Sequence, residues 1–137
     1  MLRSIHRALV VDEAECGVFA RHVKEHTLDD LPAGEVLVRV HYSSLNYKDA
    51  LSAFGNRGVT KRYPHTPGID AAGIVEQSTN PAYKPGDAVI IHSAEFGANT
   101  PGGYSDYARV PADWLIPLPP GMTLRQSMAI GTAGITA

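Results

Sequence analysis

Apolar and polar positions along this chain exchange mostly with the short period of strands, and only twice with the longer period of a helix. Arg7 to Val11 is a short apolar run, and Val18 to Thr27 alternates in period two. Over Glu35 to Leu45, Val36, Val38 and Val40 share one face, while Leu37, Arg39 and His41 share the wetter one. Ile69 to Gln77, Ala88 to Ile91, Tyr104 to Val110 and Trp114 to Leu118 bring the predicted strands to about seven. Pro32-Ala33-Gly34 is a turn ahead of the third strand. Pro85-Gly86 puts proline and glycine in the central positions of a type II turn that opens the strand at Ala88.

The two helical patterns are short. Tyr47 to Phe54 has Asn46 as its N-cap, Asp49 near the positive end of its dipole, and Gly55 as its stop. Lys48 and Asp49 read as a local pair on its surface. The second helix follows Pro119-Pro120-Gly121, with Thr123 and Gln126 spaced as a capping box, and runs through Met128 and Ile130 towards Ala137. It reaches the last residue with no cap or breaker, which leads to the expectation of a partner surface and of a domain cut from something longer.

Composition narrows the class. In 137 residues, 44% are apolar and 19% charged, the balance of a folded globular domain. Thirteen glycines and ten prolines punctuate it often enough to favour strands and turns over long helices. A net charge of −2 offers no electrostatic footprint for nucleic acid or an anionic membrane. The single cysteine, Cys16, excludes a disulfide framework and a thiolate metal cluster within the chain. The apolar run after Arg3 and Arg7 is too short for a signal peptide, so a cytoplasmic location is expected.

The most informative stretch is Tyr63-Pro64-His65-Thr66-Pro67-Gly68-Ile69-Asp70-Ala71-Ala72-Gly73-Ile74-Val75, a Pro-Gly turn feeding a strand of small residues that backbone or ligand can approach closely. With it in register come Glu35-Val36-Leu37-Val38-Arg39-Val40, Ser43-Ser44-Leu45-Asn46-Tyr47-Lys48-Asp49, Pro85-Gly86-Asp87, Gly102-Gly103-Tyr104-Ser105-Asp106-Tyr107-Ala108 and Ile130-Gly131-Thr132-Ala133-Gly134-Ile135-Thr136-Ala137. Together, and over essentially the whole chain, these resemble the medium-chain dehydrogenase/reductase superfamily. The Ser-Leu-Asn-Tyr-Lys-Asp run and the Gly-Thr-Ala-Gly-Ile-Thr-Ala ending are most similar to its zinc-free quinone-oxidoreductase branch and, within that, to the acryloyl-CoA reductase group.

The resemblance implies a mainly β, GroES-like domain over residues 1–137: a partly open β-barrel with two short helices, lacking the Rossmann domain. It also implies NADPH, hydride transfer to an activated C=C bond of an acyl-CoA or quinone, and no zinc. Asn46 stands where the zinc enzymes have a cysteine ligand and Ile69 where they have histidine, and the four-cysteine structural lobe expected between Asp87 and Gly102 is missing. A catalytic zinc needs about three ligands from cysteine, histidine or carboxylate. Without a Lewis acid, the charge that develops on the substrate's carbonyl oxygen needs oriented hydrogen-bond donors.

Asn46 and Tyr47 are the candidate donors, both catalytic and cofactor-contacting. Asn46 equally reads as a helix cap, and Tyr47 as a half-buried packing residue. Asp70 is either a hydrogen-bonding group near the nicotinamide or a structural carboxylate. Thr136 corresponds to a threonine lining the nicotinamide pocket in the family, or is an ordinary helix residue. Among the histidines, His22 and His26 read as exposed strand positions, His65 as a loop residue, and His41 and His92 as ordinary strand residues. No strand–Ser–helix elbow supports hydrolase chemistry, and no G-x-G-x-x-G fingerprint is present to grip a pyrophosphate. The expected partner is a small enone or acyl-CoA, with a homodimer open. A stand-alone GroES-like binding or assembly module is the alternative.

Overall fold

The computed structural model describes residues 5–15 and 17–136, with side chains to residue 131. Five antiparallel strands form one open sheet in the order β6-β3-β4-β5-β7: β3 (Val36–Ser43), β4 (Asp70–Ser78), β5 (Ala88–His92), β6 (Tyr107–Val110) and β7 (Leu115–Pro117). The hairpin β1 (Ile5–Glu15) and β2 (Val18–Thr27) is a separate two-stranded sheet. The helices are α1 (Tyr47–Ala53) and α2 (Leu124–Thr136). None of the described helices is long and apolar enough to cross a membrane.

Alternation sets the register. Val36 and Val38 of β3 are fully buried, and with Ala71, Val75, Val89, Ile91, Phe96, Ala108 and Val110 they form one dry core. Arg39 points the other way, into solvent. The register shifts between β3 and β4 at Leu37/Val38 and again at Val40/Tyr42. Such irregularities bend a strand, and the second lies just before the Ser43-Ser44 segment that enters the site.

The hairpin meets the sheet through a few links. β1 bridges Ala8 to Ser105 and Val11 to His65, and Leu9 N–H donates to the Tyr104 carbonyl at 2.8 Å. These links give the partly open barrel. They also explain why the strand predicted from Tyr104 starts only at Tyr107: the Tyr104 carbonyl is taken by β1 while its N–H donates to Pro67 carbonyl oxygen at 3.1 Å, and Asp106 N–H donates to Arg7 carbonyl oxygen at 2.9 Å.

Three local expectations are met. Gly86 takes φ 97° in the turn after Pro85, with Asp87 N–H donating to the Lys84 carbonyl oxygen at 3.1 Å. Thr123 N–H donates to Gln126 Oε1 at 2.9 Å, and Gln126 N–H returns to Thr123 Oγ1 at 3.1 Å, closing the capping box. Asn46 occupies the N-cap of α1 in an extended conformation. Trp114, by contrast, lies in a 3₁₀ turn (Ala112–Trp114) rather than in the last strand. Cys16 lies outside the described residues.

Candidate functional site

The site is assembled where the end of β3, the start of α1 and the start of β4 converge on two buried carboxylates. Asp49 is the third residue of α1 and 2% exposed. Its carboxylate accepts from Asn46 N–H at 3.0 Å, Ile69 N–H at 2.8 Å and the Tyr104 hydroxyl at 3.1 Å. Three donors satisfy a buried charge that would otherwise be costly. The expected surface pair with Lys48 is therefore corrected: Asp49 turns inward, because the loop before α1 and the Pro67-Gly68-Ile69 turn each offer it an N–H.

Asp70 opens β4 and is also 2% exposed. Ser44 Oγ donates to its Oδ2 at 2.8 Å and Asn46 Nδ2 at 3.0 Å, while Ser43 Oγ donates to its backbone carbonyl at 2.6 Å. Asn46 thus lies between the two carboxylates, its Nδ2 also 3.3 Å from Asp49 Oδ2. A further wall comes from α2, which bends at Gly131 (φ 52°, ψ −164°). A Cβ there would stand 3.0 Å from both Asp70 Oδ2 and Ser44 Oγ; the bend and the close approach both require glycine.

The electrostatics of this cluster are visible in Tyr104. Burial pushes its phenol well above the usual tyrosine range, helped by the Asp49 carboxylate that its proton satisfies and by the Asp70 charge. It is a hydrogen-bond donor held in its neutral form.

Tyr47 stands apart from the network. It is 80% exposed, its hydroxyl makes no hydrogen bond among the described residues, and it borders a shallow groove lined by Ala50, Leu51, Phe54, Gly55 and Asn56. The structure therefore brings Asn46 and Asp70 together and places Tyr47 next to them on the open face of α1. Thr136 belongs to the last turn of α2, and its side chain lies outside the described residues.

Sequence reasoning missed Asp49 and Tyr104 as partners. One signal was present: an acidic residue three positions after an N-cap, the spacing of a reciprocal cap. Nothing local linked it to Tyr104, 55 residues away.

Arranged this way, the chain offers two buried carboxylates satisfied by donors from three segments, and beside them an exposed phenol on α1. Residues 32–120 match the alcohol dehydrogenase GroES-like domain family, and the chain belongs to that family. It is 53% identical over 131 residues to the acrylyl-CoA reductase AcuI of Ruegeria pomeroyi, covering 95% of this chain and 40% of the relative. It is 47% identical over 116 residues to the putative quinone oxidoreductase YhfP of Bacillus subtilis, covering 85% of this chain and 35% of that one. The fold matches the crystal structure of the Salmonella enterica yhdH oxidoreductase in complex with NADP, with TM-score 0.90, 43% identity, and 95% of this chain against 40% of that one. It also matches Bacillus subtilis yhfP with NAD bound, with TM-score 0.92, 42% identity, and 98% against 40%. The chain spans about two fifths of the length of these relatives. The resemblance to the medium-chain oxidoreductases, and the β-rich GroES-like fold it implied, are thereby borne out.

Proposed function

We propose that this chain is the catalytic-domain portion of a zinc-independent, NADPH-dependent oxidoreductase that reduces the activated C=C bond of an enoyl thioester such as acryloyl-CoA, or of a quinone. The observation that carries this reading is how Asn46 and Ile69 are used. Both are tied to Asp49 through their backbone N–H groups, at 3.0 and 2.8 Å. Their side chains are an amide and a hydrocarbon, so the donor set does not fit a zinc ion, which needs about three ligands. Among the described residues no group of three or more histidine, cysteine, aspartate or glutamate side chains is arranged to hold a metal. The thioester is favoured because the acrylyl-CoA reductase is the more similar relative, at 53% against 47%.

NADPH, when bound, supplies a hydride to the carbon β to the substrate's carbonyl. This chain's own part is to bind, to orient and to donate hydrogen bonds. The groove beside Tyr47 suits a flat ring or an acyl chain better than it suits water. Tyr47 is assigned as donor to the carbonyl oxygen on which charge collects, because its phenol is free of other hydrogen bonds among the described residues. Asn46 has given its amide hydrogens to the carboxylates, so with Asp70 it is assigned to hold the loop that presents Tyr47. Thr136 is assigned to the nicotinamide pocket on resemblance alone.

The test is Tyr47→Phe in the full-length protein that carries this chain, assayed with NADPH and acryloyl-CoA. Loss of one such donor costs about 2–4 kcal/mol of transition-state stabilisation, a rate loss of roughly 10² to 10³. The melting temperature is expected to stay put, since the ring is retained and exposed. Unchanged turnover, or a wild-type protein that consumes neither an enoyl thioester nor a quinone, rejects the reading.

A further inference from the structure

We propose that the β1–β2 hairpin sets the orientation of α1, with Arg21 as the positioning residue that clamps the end of the helix opposite Asn46 and Tyr47. The inference rests on the reading of Tyr47 given above and extends it to a residue that is not among those lining the groove beside Tyr47. Helix α1 has seven residues, well under the roughly 12–15 at which a helix is even marginally stable alone. Its direction must therefore come from what holds its two ends.

The N-terminal end is held from the large sheet, through Asp49 to Ile69 N–H and the Tyr104 hydroxyl. The C-terminal end is held from the hairpin. Arg21 Nη1 donates to the Ala53 carbonyl at 3.0 Å, and the same guanidinium lies 4.3 Å over the Phe54 ring. A cation on a final helical carbonyl is favourable, and its contact with an aromatic face adds to the hold. Next to it, the ring of Phe19 of β2 fills the space that a Cβ on Gly55 would occupy. Arg57 lies over Phe19 at 5.7 Å and Tyr63 at 5.3 Å and pairs with Glu13 of β1. The Tyr63 hydroxyl donates to the Ser52 carbonyl at 2.6 Å.

With one end fixed by the sheet, a short rod can still swing; the second anchor removes that freedom. The Tyr47 hydroxyl has no hydrogen bond of its own among the described residues, so its position follows the helix alone. Ala53 lies six residues beyond it, about 9 Å along the axis at 1.5 Å per residue. The proposed effect of Arg21 on turnover travels through α1.

The experiment uses the full-length protein, with Arg21→Met to remove the donor and the charge, Arg21→Lys to restore both in part, and each repeated in the Tyr47→Phe background. Misplacing a group by about 1 Å can cost roughly 10²-fold in rate, so a fall in kcat of about tenfold is expected for R21M, with most of it recovered in R21K. In Tyr47→Phe that penalty should largely vanish, because both changes strike the same donor. An undiminished penalty there, or no penalty in R21M, overturns the proposal. A second measurement stands independently of turnover. Amide hydrogen exchange over residues 50–56 is expected to speed up in R21M while β4 is unchanged; unchanged exchange in α1 overturns the clamp. If the wild-type protein reduces no enone, the reaction assignment fails, and the exchange result still decides whether Arg21 holds the helix.

Discussion

The five-stranded sheet and the β1–β2 hairpin are both antiparallel β-structure, yet polar contacts have a larger share in holding the hairpin. The sheet buries Val36, Val38, Val75, Val89, Ile91 and Phe96 essentially completely, and its cohesion is apolar burial. In the hairpin, β2 buries no residue fully. Through β1 the hairpin buries Ala8, Val10 and Val11, and beside that burial its attachment uses two isolated bridges, cation–π contacts from Arg21 and Arg57, and the buried His6. Polar contacts of this kind are directional and sensitive to charge, whereas burial is neither. The seam between the two regions is also where α1 lies, so the region richer in polar contacts borders the candidate site.

The comparison breaks most sharply in the sheet. Phe96→Ala removes a fully buried ring and is expected to cost about 3–5 kcal/mol in urea unfolding; a loss under about 1 kcal/mol would mean that burial is not what holds this region. Next comes the junction. Tyr104→Phe removes a hydroxyl whose one proton is shared between the buried Asp49 carboxylate at 3.1 Å and the Ser44 carbonyl oxygen at 3.0 Å, and an expected loss of about 1.5–3 kcal/mol follows from the usual strength of a hydrogen bond to a charged group.

The third test uses pH against the hairpin. His6 is 2% exposed, and neither ring nitrogen has a hydrogen-bond partner among the described residues. Its ring meets His26 at 6.1 Å and Tyr107 at 5.6 Å. Burial, then the nearby His26, lowers its pKa, against a smaller opposing pull from Asp106 and Asp30. A histidine with a depressed folded pKa binds its proton more readily when unfolded, so stability is full above the unfolded value of about 6.5 and declines as pH falls below it. His65, whose pKa burial also lowers, acts in the same sense. The melting temperature is thus expected to be flat above about pH 7 and to drop between about 6.5 and 5, ahead of carboxylate protonation. His6→Phe should flatten part of that drop, and an unchanged profile would remove His6 from the account. The smallest effect belongs to the exposed Lys24–Asp12 pair across the hairpin. Lys24→Met should change stability by less than about 1 kcal/mol, fading further at high salt.

Much of the fold was legible because its cues are local. The alternation of Val36, Val38 and Val40 placed β3 within a residue or two, the span Val18 to Thr27 is β2 as observed, and Asn46 and Gly55 bracket α1. Strand edges were less legible wherever a backbone group found a partner elsewhere, as the Tyr104 carbonyl and Asp106 N–H did with β1. In the site, Asn46, Tyr47 and Asp70 drew attention by residue type and motif, yet their relations were invisible. Nothing in the spacing says that Asn46 donates to Asp70, 24 residues on, or that Tyr47 remains exposed.

What the sequence determined by itself is the strand-rich class and the turn and cap chemistry. These depend on residue identity and on periods of two or of three to four, which neighbouring residues carry among themselves. Only the tertiary structure decided that Asp49 faces inward to join Asn46, Ile69 and Tyr104, that Gly131 brings α2 against Asp70, and that Arg21 reaches the end of α1. Those pairings depend on which distant segments the burial of apolar surface drives together. Burial is non-directional, and a buried charge takes whichever donors packing leaves beside it.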